Sequence, residues 1–436
     1  MLMRLAVVGV LCVVGFVRAE DAVRLSEKFT TGYQYHVSSR VQLTGQLTLP
    51  AEKDRPARTL PVTGTSKIEY DERILDAAGQ RSLRVYRTFD FQRQIGEQVQ
   101  PSTLRAEVRR LVILRLKQTE VPFSPDGPLL WGEIDLVRTD VFTPALAGLL
   151  PTQPVRVGEQ WTAQLAAIEE LTDLEKVEDG TLTCTLEQVG PLATLGNRRH
   201  ARISLRGTLR GVNEDGPNRQ TLDGLLYFDL EAQHISYMSI RGQHQLLDAQ
   251  GQVTGRVEGQ FTLSRQVRTQ CPELRDDVVK TVGVEPTAEN TALLYDNPDL
   301  GVRFLHPRKW RVAGVRGRQV TLDEANGSGL LITLEPLAQV PTPAQYLTEA
   351  HKVVQEQKGQ ILRIDQPRQL SAAPQQLDHF TLDAEMNRQR VILDYFIARQ
   401  ATGGATLAAR LLPTDLAELQ REVERIARSV VVTRGP

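Results

Sequence analysis

Cysteine, histidine, methionine and aromatic residues are scarce in this chain. Of its 436 residues 3 are Cys, 7 are His and 4 are Met, and aromatics make up 5%. So few aromatic rings leave little to stack single-stranded nucleic acid, and a formal charge of −1 provides no basic face for a duplex. The histidines (His36, His200, His234, His244, His306, His351 and His379) stand singly, without the H-E-x-x-H, H-x-H or Cys–His spacing of a metal site. Asn326-Gly327-Ser328-Gly329 lacks the nucleophile-elbow pattern and reads as a turn, and no Gly-rich phosphate loop occurs. The expectation is therefore a non-enzyme with no catalytic residue, no cofactor and no metal. Hydrophobic residues at 41% and charged residues at 24% are ordinary for globular protein, and the length suits two or three domains.

Long apolar runs are almost absent too. The one present, Leu5–Val17, follows Arg4 and precedes Val17-Arg18-Ala19. That is the three-part pattern of a cleaved secretory signal over residues 1–19, too short to span a bilayer comfortably. Cys12 lies inside the apolar run after Leu11, which does not fit a lipoprotein site. The expectation is an exported chain, periplasmic or extracellular, that does not span the membrane once the signal is removed. Export leaves Cys184 and Cys271 in a disulfide-permissive compartment. A bridge between them would close a long loop and stabilise by about 4–5 kcal/mol in the chain-entropy model. The alternative is two free thiols buried as small hydrophobes.

Residues 22–270 are dominated by period-2 alternation. In 33–49, Tyr33, Tyr35, Val37, Val41, Leu43, Leu47 and Leu49 alternate with polar residues, the mark of a strand with one buried face. The pattern recurs at Ile68 and Tyr70, at Leu83, Val85, Phe89 and Phe91, over Leu104–Leu116, and at Ile203, Leu205 and Leu209. Leu222, Leu226 and Phe228 continue it, then Val253, Val257 and Phe261, with polar turns between. This predicts a long-stranded antiparallel meander, curled as a half-barrel, barrel or sandwich. Helices are expected only at Thr143–Leu150 and Leu165–Lys176, too little to cover such a sheet alone. A short echo between Gly32-Tyr33-Gln34-Tyr35 and Gly158-Glu159-Gln160-Trp161 suggests two similar halves, about 29–138 and 155–268. Pro154–Trp161 also resembles a strand entry common in exported β-rich bacterial proteins, a resemblance that implies no activity.

Residues 271–293 are polar, carry Pro272 and Pro286, and read as a linker. Beyond it, short strands surround a helix that starts at Thr342, with Pro343 at its first position, Gln345 completing a capping box and Gly359 ending it. A last helix starts at Asp415. Tyr295, Asn297, Gly301, Phe304, Pro307 and Trp310 follow the order Y-x-N-x-x-x-G-x-x-F-x-x-P-x-x-W. This stretch resembles the opening of PsbP/Mog1-like domains. The resemblance implies an α+β domain over 294–432, an antiparallel sheet with helices, acting as an interaction or stabilising module mostly without chemistry of its own.

Arg202, Arg206 and Arg210 share one strand face and could meet an anionic partner, or pair across strands with Glu187 or Glu258. The acidic run around Glu169–Asp179 lacks the pattern of a calcium loop. The resulting expectation is a cell-envelope protein acting in binding or assembly with an envelope protein or lipid. Its alternative is a carrier holding a lipid or other apolar ligand on the concave face of the long sheet, in the manner of lipoprotein-carrier half-barrels.

Overall fold

A computed structural model describes residues 22–49, 51, 56–116, 119–193, 197–268, 271–372 and 375–433. The signal assigned to 1–19 lies outside the described residues. The alternating region forms β1 (Gln34–Leu49), β2 (Arg58–Ile74), β3 (Arg81–Ile95), β4 (Gln98–Ser102), β5 (Arg110–Leu116) and β6 (Thr119–Phe123). After β7 (Leu129–Leu130) come β8 (Gln160–Thr162), β9 (Lys176–Leu192), β10 (Arg198–Asn213), β11 (Gly216–Asp229), β12 (His234–Leu247) and β13 (Val253–Val267). All but β7 join one 12-stranded sheet in the order β6-β5-β3-β2-β1-β13-β12-β11-β10-β9-β8, with β4 beside β3. The first wing is laid down from the centre outward and the second from the edge inward. Strands of equal rank in the two halves therefore occupy different places.

Between the wings the chain inserts a connector: α1 (Trp131–Val137), a 3₁₀ turn at Thr143–Leu149 and α2 (Leu165–Thr172). Its Ile134, Val137, Leu146 and Ala167 share one apolar core with Tyr70 and Leu111 of the first wing and Leu182 and Leu226 of the second. Because both wings pack on the same connector, the sheet curls into a half-barrel around it. Glycines on the concave face permit the curvature. A Cβ on Gly45 would lie 2.2 Å from the Arg256 carbonyl oxygen, and one on Gly207 2.2 Å from that of Thr181.

Two local expectations change. Leu104–Leu116 is not one strand but a 3₁₀ turn at Ala106–Val108 followed by β5. On β3 the two faces are exchanged: Arg84 and Tyr86 point into the core, while Leu83 and Val85 face outward. The outer face is dry there because residues 271–293 cross it. Cys271, Leu274 and Val279 pack on Leu83, Val85, Val112 and Phe123. Arg73 donates to the Leu274 carbonyl at 2.6 Å, and Arg81 pairs with Glu285 at 2.5 Å. This segment holds a 3₁₀ turn and the short α3 (Asp276–Val279).

The remainder comprises β14 (Leu293–Asn297), β15 (Val302–His306), β16 (Trp310–Arg316), β17 (Gln319–Glu324), β18 (Gly329–Glu335) and α4 (Pro343–Glu356). It continues with β19 (Gln360–Ser371), β20 (Gln376–Met386), β21 (Gln389–Gln400), β22 (Gly403–Leu411), α5 (Leu416–Ser429) and β23 (Val431–Val432). A 7-stranded antiparallel sheet, β16-β17-β18-β22-β21-β20-β19, is flanked by the two helices. Ala350 and Val354 of α4 pack on Phe380 and Leu382, and Leu419, Val423 and Ile426 of α5 pack on Trp310 and Leu407. The Thr342–Gln345 capping box forms as expected. The helix end differs: Lys358, at φ 58°, takes the left-handed position expected of Gly359. Asp415 makes no side-chain cap and is itself left-handed, at φ 57°.

A 4-stranded sheet, β23-β15-β14-β7, joins the two domains, with β14 parallel to β7 through Leu293↔Leu129 and Leu294↔Leu130.

Candidate ligand-binding site

Of the two alternatives for Cys184 and Cys271, the structure has the free thiols and no bridge. Cys184 lies in the core on the concave face. Cys271 lies past the end of β13, where the chain has turned onto the outer face, and packs in a separate cluster. The sheet itself stands between them. Burial pushes the Cys184 thiol up to about 12. Arg87 approaches the Cys271 sulfur at 3.4 Å, and burial also raises this thiol.

Arg202, Arg206 and Arg210 all lie exposed on the outer face of β10. Arg202 pairs with Glu187 at 3.1 Å and Arg206 with Asp223 at 3.2 Å. Arg210 stands in register between Asp179 and Arg219. Glu258 pairs instead with Arg256, at 2.9 Å. Charges of both signs thus alternate around the stripe.

The concave face has two unlike halves. Under the connector it is packed and polar at fixed points. Glu72, fully buried, accepts from Arg84 at 2.8 Å and from Ser82 at 2.5 Å. Arg84 also donates to Asp140 at 2.9 Å and lies 4.6 Å over the Tyr70 ring. The Thr143 hydroxyl contacts both Tyr35 and Glu72, at 2.6 and 3.2 Å. One arginine between two carboxylates leaves a buried acid incompletely compensated, and desolvation pushes Asp140 up to about 7. Burial likewise raises Glu170, which accepts from the Phe142 amide at 2.6 Å and pairs with Arg115. Arg265 pairs with Glu27 and lies over the Phe29 and Tyr35 rings at 5.3 and 5.0 Å. Burial pulls neighbouring His234 down to about 4. Glu72, Arg84 and Glu170 thus tie the connector to the sheet through Thr143, Asp140 and the Phe142 amide.

Toward the hairpin tips the connector ends, and the face becomes half-exposed and apolar. Register places its residues in rows across the strands. One row is Phe91–Ser66–Val41–Phe261–Ile240, and the next is Arg93–Gly64–Leu43–Gly259–Gly242. Then come Ile95–Val62–Gly45–Val257–His244, Leu60–Leu47–Gly255–Leu246, and Arg58–Leu49 at the mouth. Val41, Leu43, Leu47, Leu60, Leu246 and Val257 are half-buried. The leucines lie across the glycines: Leu47 and Leu246 would each sit within 3.3 Å of a Cβ on Gly255. No Asp or Glu occupies any of these rows. His244 contributes a buried Nε2 without a partner, and burial lowers its affinity for a proton. Nothing in the sequence marked this half as different, because the alternation is the same with or without a covering helix.

Among the described residues no helix is long and apolar enough to cross a membrane, and no three His, Cys, Asp or Glu side chains group as a metal site. The fold thus defines a two-domain β-rich protein, a half-barrel filled at one end and joined to an α+β domain. No protein-family model and no curated protein matches the sequence. Among solved structures, the Ran-binding protein Mog1p of Saccharomyces cerevisiae is similar over 33% of this chain and 96% of its own, at 8% identity and TM-score 0.26. CyanoP, the cyanobacterial PsbP of Synechocystis, is similar over 34% and 95%, at 12% identity and TM-score 0.26. Lipovitellin is similar over 56% of this chain and 26% of its own, at 10% identity and TM-score 0.30. None of these likenesses assigns the chain to a family.

Proposed function

We propose that this is a non-catalytic, exported binding protein of the cell envelope, and that its ligand is apolar. The observation supporting this is the tip half of the concave face, where half-exposed leucines and valines lie over a glycine floor with no carboxylate in any row. Such a surface costs little to dehydrate, and burying it gains about 25 cal/mol per Å² of apolar area. The filled inner half sets the depth to which a ligand enters. The second domain, docked through β14, is the stabilising module. Titration of the purified chain with a fluorescent fatty-acid analogue tests the reading. Saturable enhancement, lost in Leu43→Asp and Leu47→Asp variants that keep the far-UV spectrum, is the expected result. Absence of saturable binding by the native protein would overturn it.

A further inference from the structure

On the outer face of the second wing lies a separate polar site, and we infer that it binds a neutral saccharide. The sheet stands between this site and the apolar track, so the inference does not rest on the apolar-ligand reading.

Two irregularities of the ladder shape the site. Between β9 and β10 the register places Gln188 opposite Arg202 and Leu186 opposite Ile203, so Glu187 has no cross-strand partner. Between β11 and β12 Tyr227 faces Tyr237 and Phe228 faces Ile235, which leaves Ser236 over. Such bulges twist a strand and re-aim its side chains. Arg202 and Tyr227 also pair with each other, so Gln188, Arg202, Tyr227 and Tyr237 form one row across four strands. A cavity of about 90 Å³ lies among Gln188, Gly190, His200, Arg202 and Tyr227.

The charges there are already matched. Arg202 pairs with Glu187 at 3.1 Å and Arg198 with Asp229 at 3.0 Å. The chain from Pro191 to Asn197, between β9 and β10, has no charged residue. What is left over is neutral hydrogen-bonding capacity. His200 Nδ1 donates to the Arg198 carbonyl at 2.9 Å, which in the neutral ring leaves Nε2 an acceptor. The Gln188 amide and the Tyr227 hydroxyl, each able to donate and accept, make no hydrogen bond among the described residues. Beside the cavity the half-buried Tyr227 and Tyr237 rings, with centroids 6.1 Å apart, add an apolar platform.

A sugar ring asks for this combination. Its C–H face lies against the electron-rich face of an aromatic ring, and its hydroxyls need donors and acceptors together. A charged ligand would have to break the Arg202–Glu187 pair or stay unmatched. A purely apolar one would strand the amide, the hydroxyl and the imidazole. Past Tyr237 the row continues through Ser264 to Ser38. Six strands at roughly 4.8 Å spacing make it about 24 Å long, the reach of a short oligosaccharide laid across the sheet.

The test is isothermal titration of the purified chain with maltopentaose, cellopentaose and chitopentaose, at low and at high salt. Saturable binding of at least one, with a roughly millimolar dissociation constant that salt leaves unchanged, is the expected result. Gln188→Ala, a change at an exposed position, and Tyr227→Ala should each weaken binding about tenfold while keeping the far-UV spectrum. Tyr227→Phe, which retains the ring, should weaken it less than Tyr227→Ala and so separates a lost platform from a damaged fold. Absence of saturable binding with all three sugars would overturn the assignment. So would native affinity in both Gln188→Ala and Tyr227→Ala. Binding that disappears at high salt would show that charge is recognised and would overturn the neutral class.

Discussion

Burial with too few cations leaves Asp140 holding its proton to about pH 7 in the folded chain, against about 4 once unfolded. Between those values the folded state carries the extra proton, so the contribution of this group to stability falls as pH rises, and is level outside the window. Asp140→Asn removes that dependence while keeping an acceptor for Arg84. The stability of the variant relative to the native chain should therefore climb from pH 4 to pH 7, by at most about 4 kcal/mol, in urea titrations at a series of pH values. Arg84 is the opposite case. Replacing it with Ala strands Glu72 and Asp140 together and should cost about 3–5 kcal/mol. The triple variant Arg84→Met, Glu72→Gln, Asp140→Asn should recover much of that loss, because it removes the charges as a set. The thiols give a simpler test. Reducing and non-reducing peptide maps should be identical, and Cys184 should alkylate only after unfolding, since the core encloses it.

Strand glycines carry the curvature of the sheet. Gly45→Ala and Gly207→Ala would each drive a methyl group into the neighbouring strand backbone, which cannot swing aside as a side chain would. Each should lower stability by about 1–3 kcal/mol, read as a reduced denaturant midpoint at unchanged slope. Alternation made most of these strands legible in the sequence, because a period of two survives in any half-buried sheet. It could not show which face is inside where both faces are covered. On β3 the pattern marked Leu83 and Val85 as core, yet Arg84 and Tyr86 take that place because residues 271–293 dry the outer side. The short connector helices were legible at α2 and the Thr143–Leu149 turn, but α1 was not, its seven residues carrying too little periodicity. The candidate site was foreseen only as a concave face. Its division into a filled and an open half depends on where the connector stops, a tertiary fact without a local signal. The Cys184–Cys271 bridge failed for the same reason: both lie among apolar neighbours, but on opposite sides of the sheet.

At the scale of the whole chain, the two domains share backbone as well as side-chain contacts. β14 adds to β7, and Leu293 enters the core of the half-barrel. Arg308, largely buried and held below its ordinary range by desolvation, donates to the Thr291 carbonyl at 3.0 Å and to that of Pro122. Arg311 lies 5.5 Å over the Trp131 ring, at the first residue of the connector. The second domain therefore grips the strand from which the connector starts, and through it the filled half of the concave face. Unfolding one domain would expose Leu293 and leave β7 without its partner, so the native chain should melt in one cooperative transition by calorimetry. Arg308→Ala removes bonds to two carbonyls and should cost about 1–3 kcal/mol. Its diagnostic effect is on cooperativity. With the clasp weakened, the endotherm should broaden or split, and the earlier component should be followed by Trp310, buried between α5 and its sheet, or by Trp131 and Trp161 of the half-barrel. Two separate transitions already present in the native chain would show that the shared sheet does not couple the domains. In that event the second domain could not stabilise the half-barrel, and its place in the binding model would fall with it.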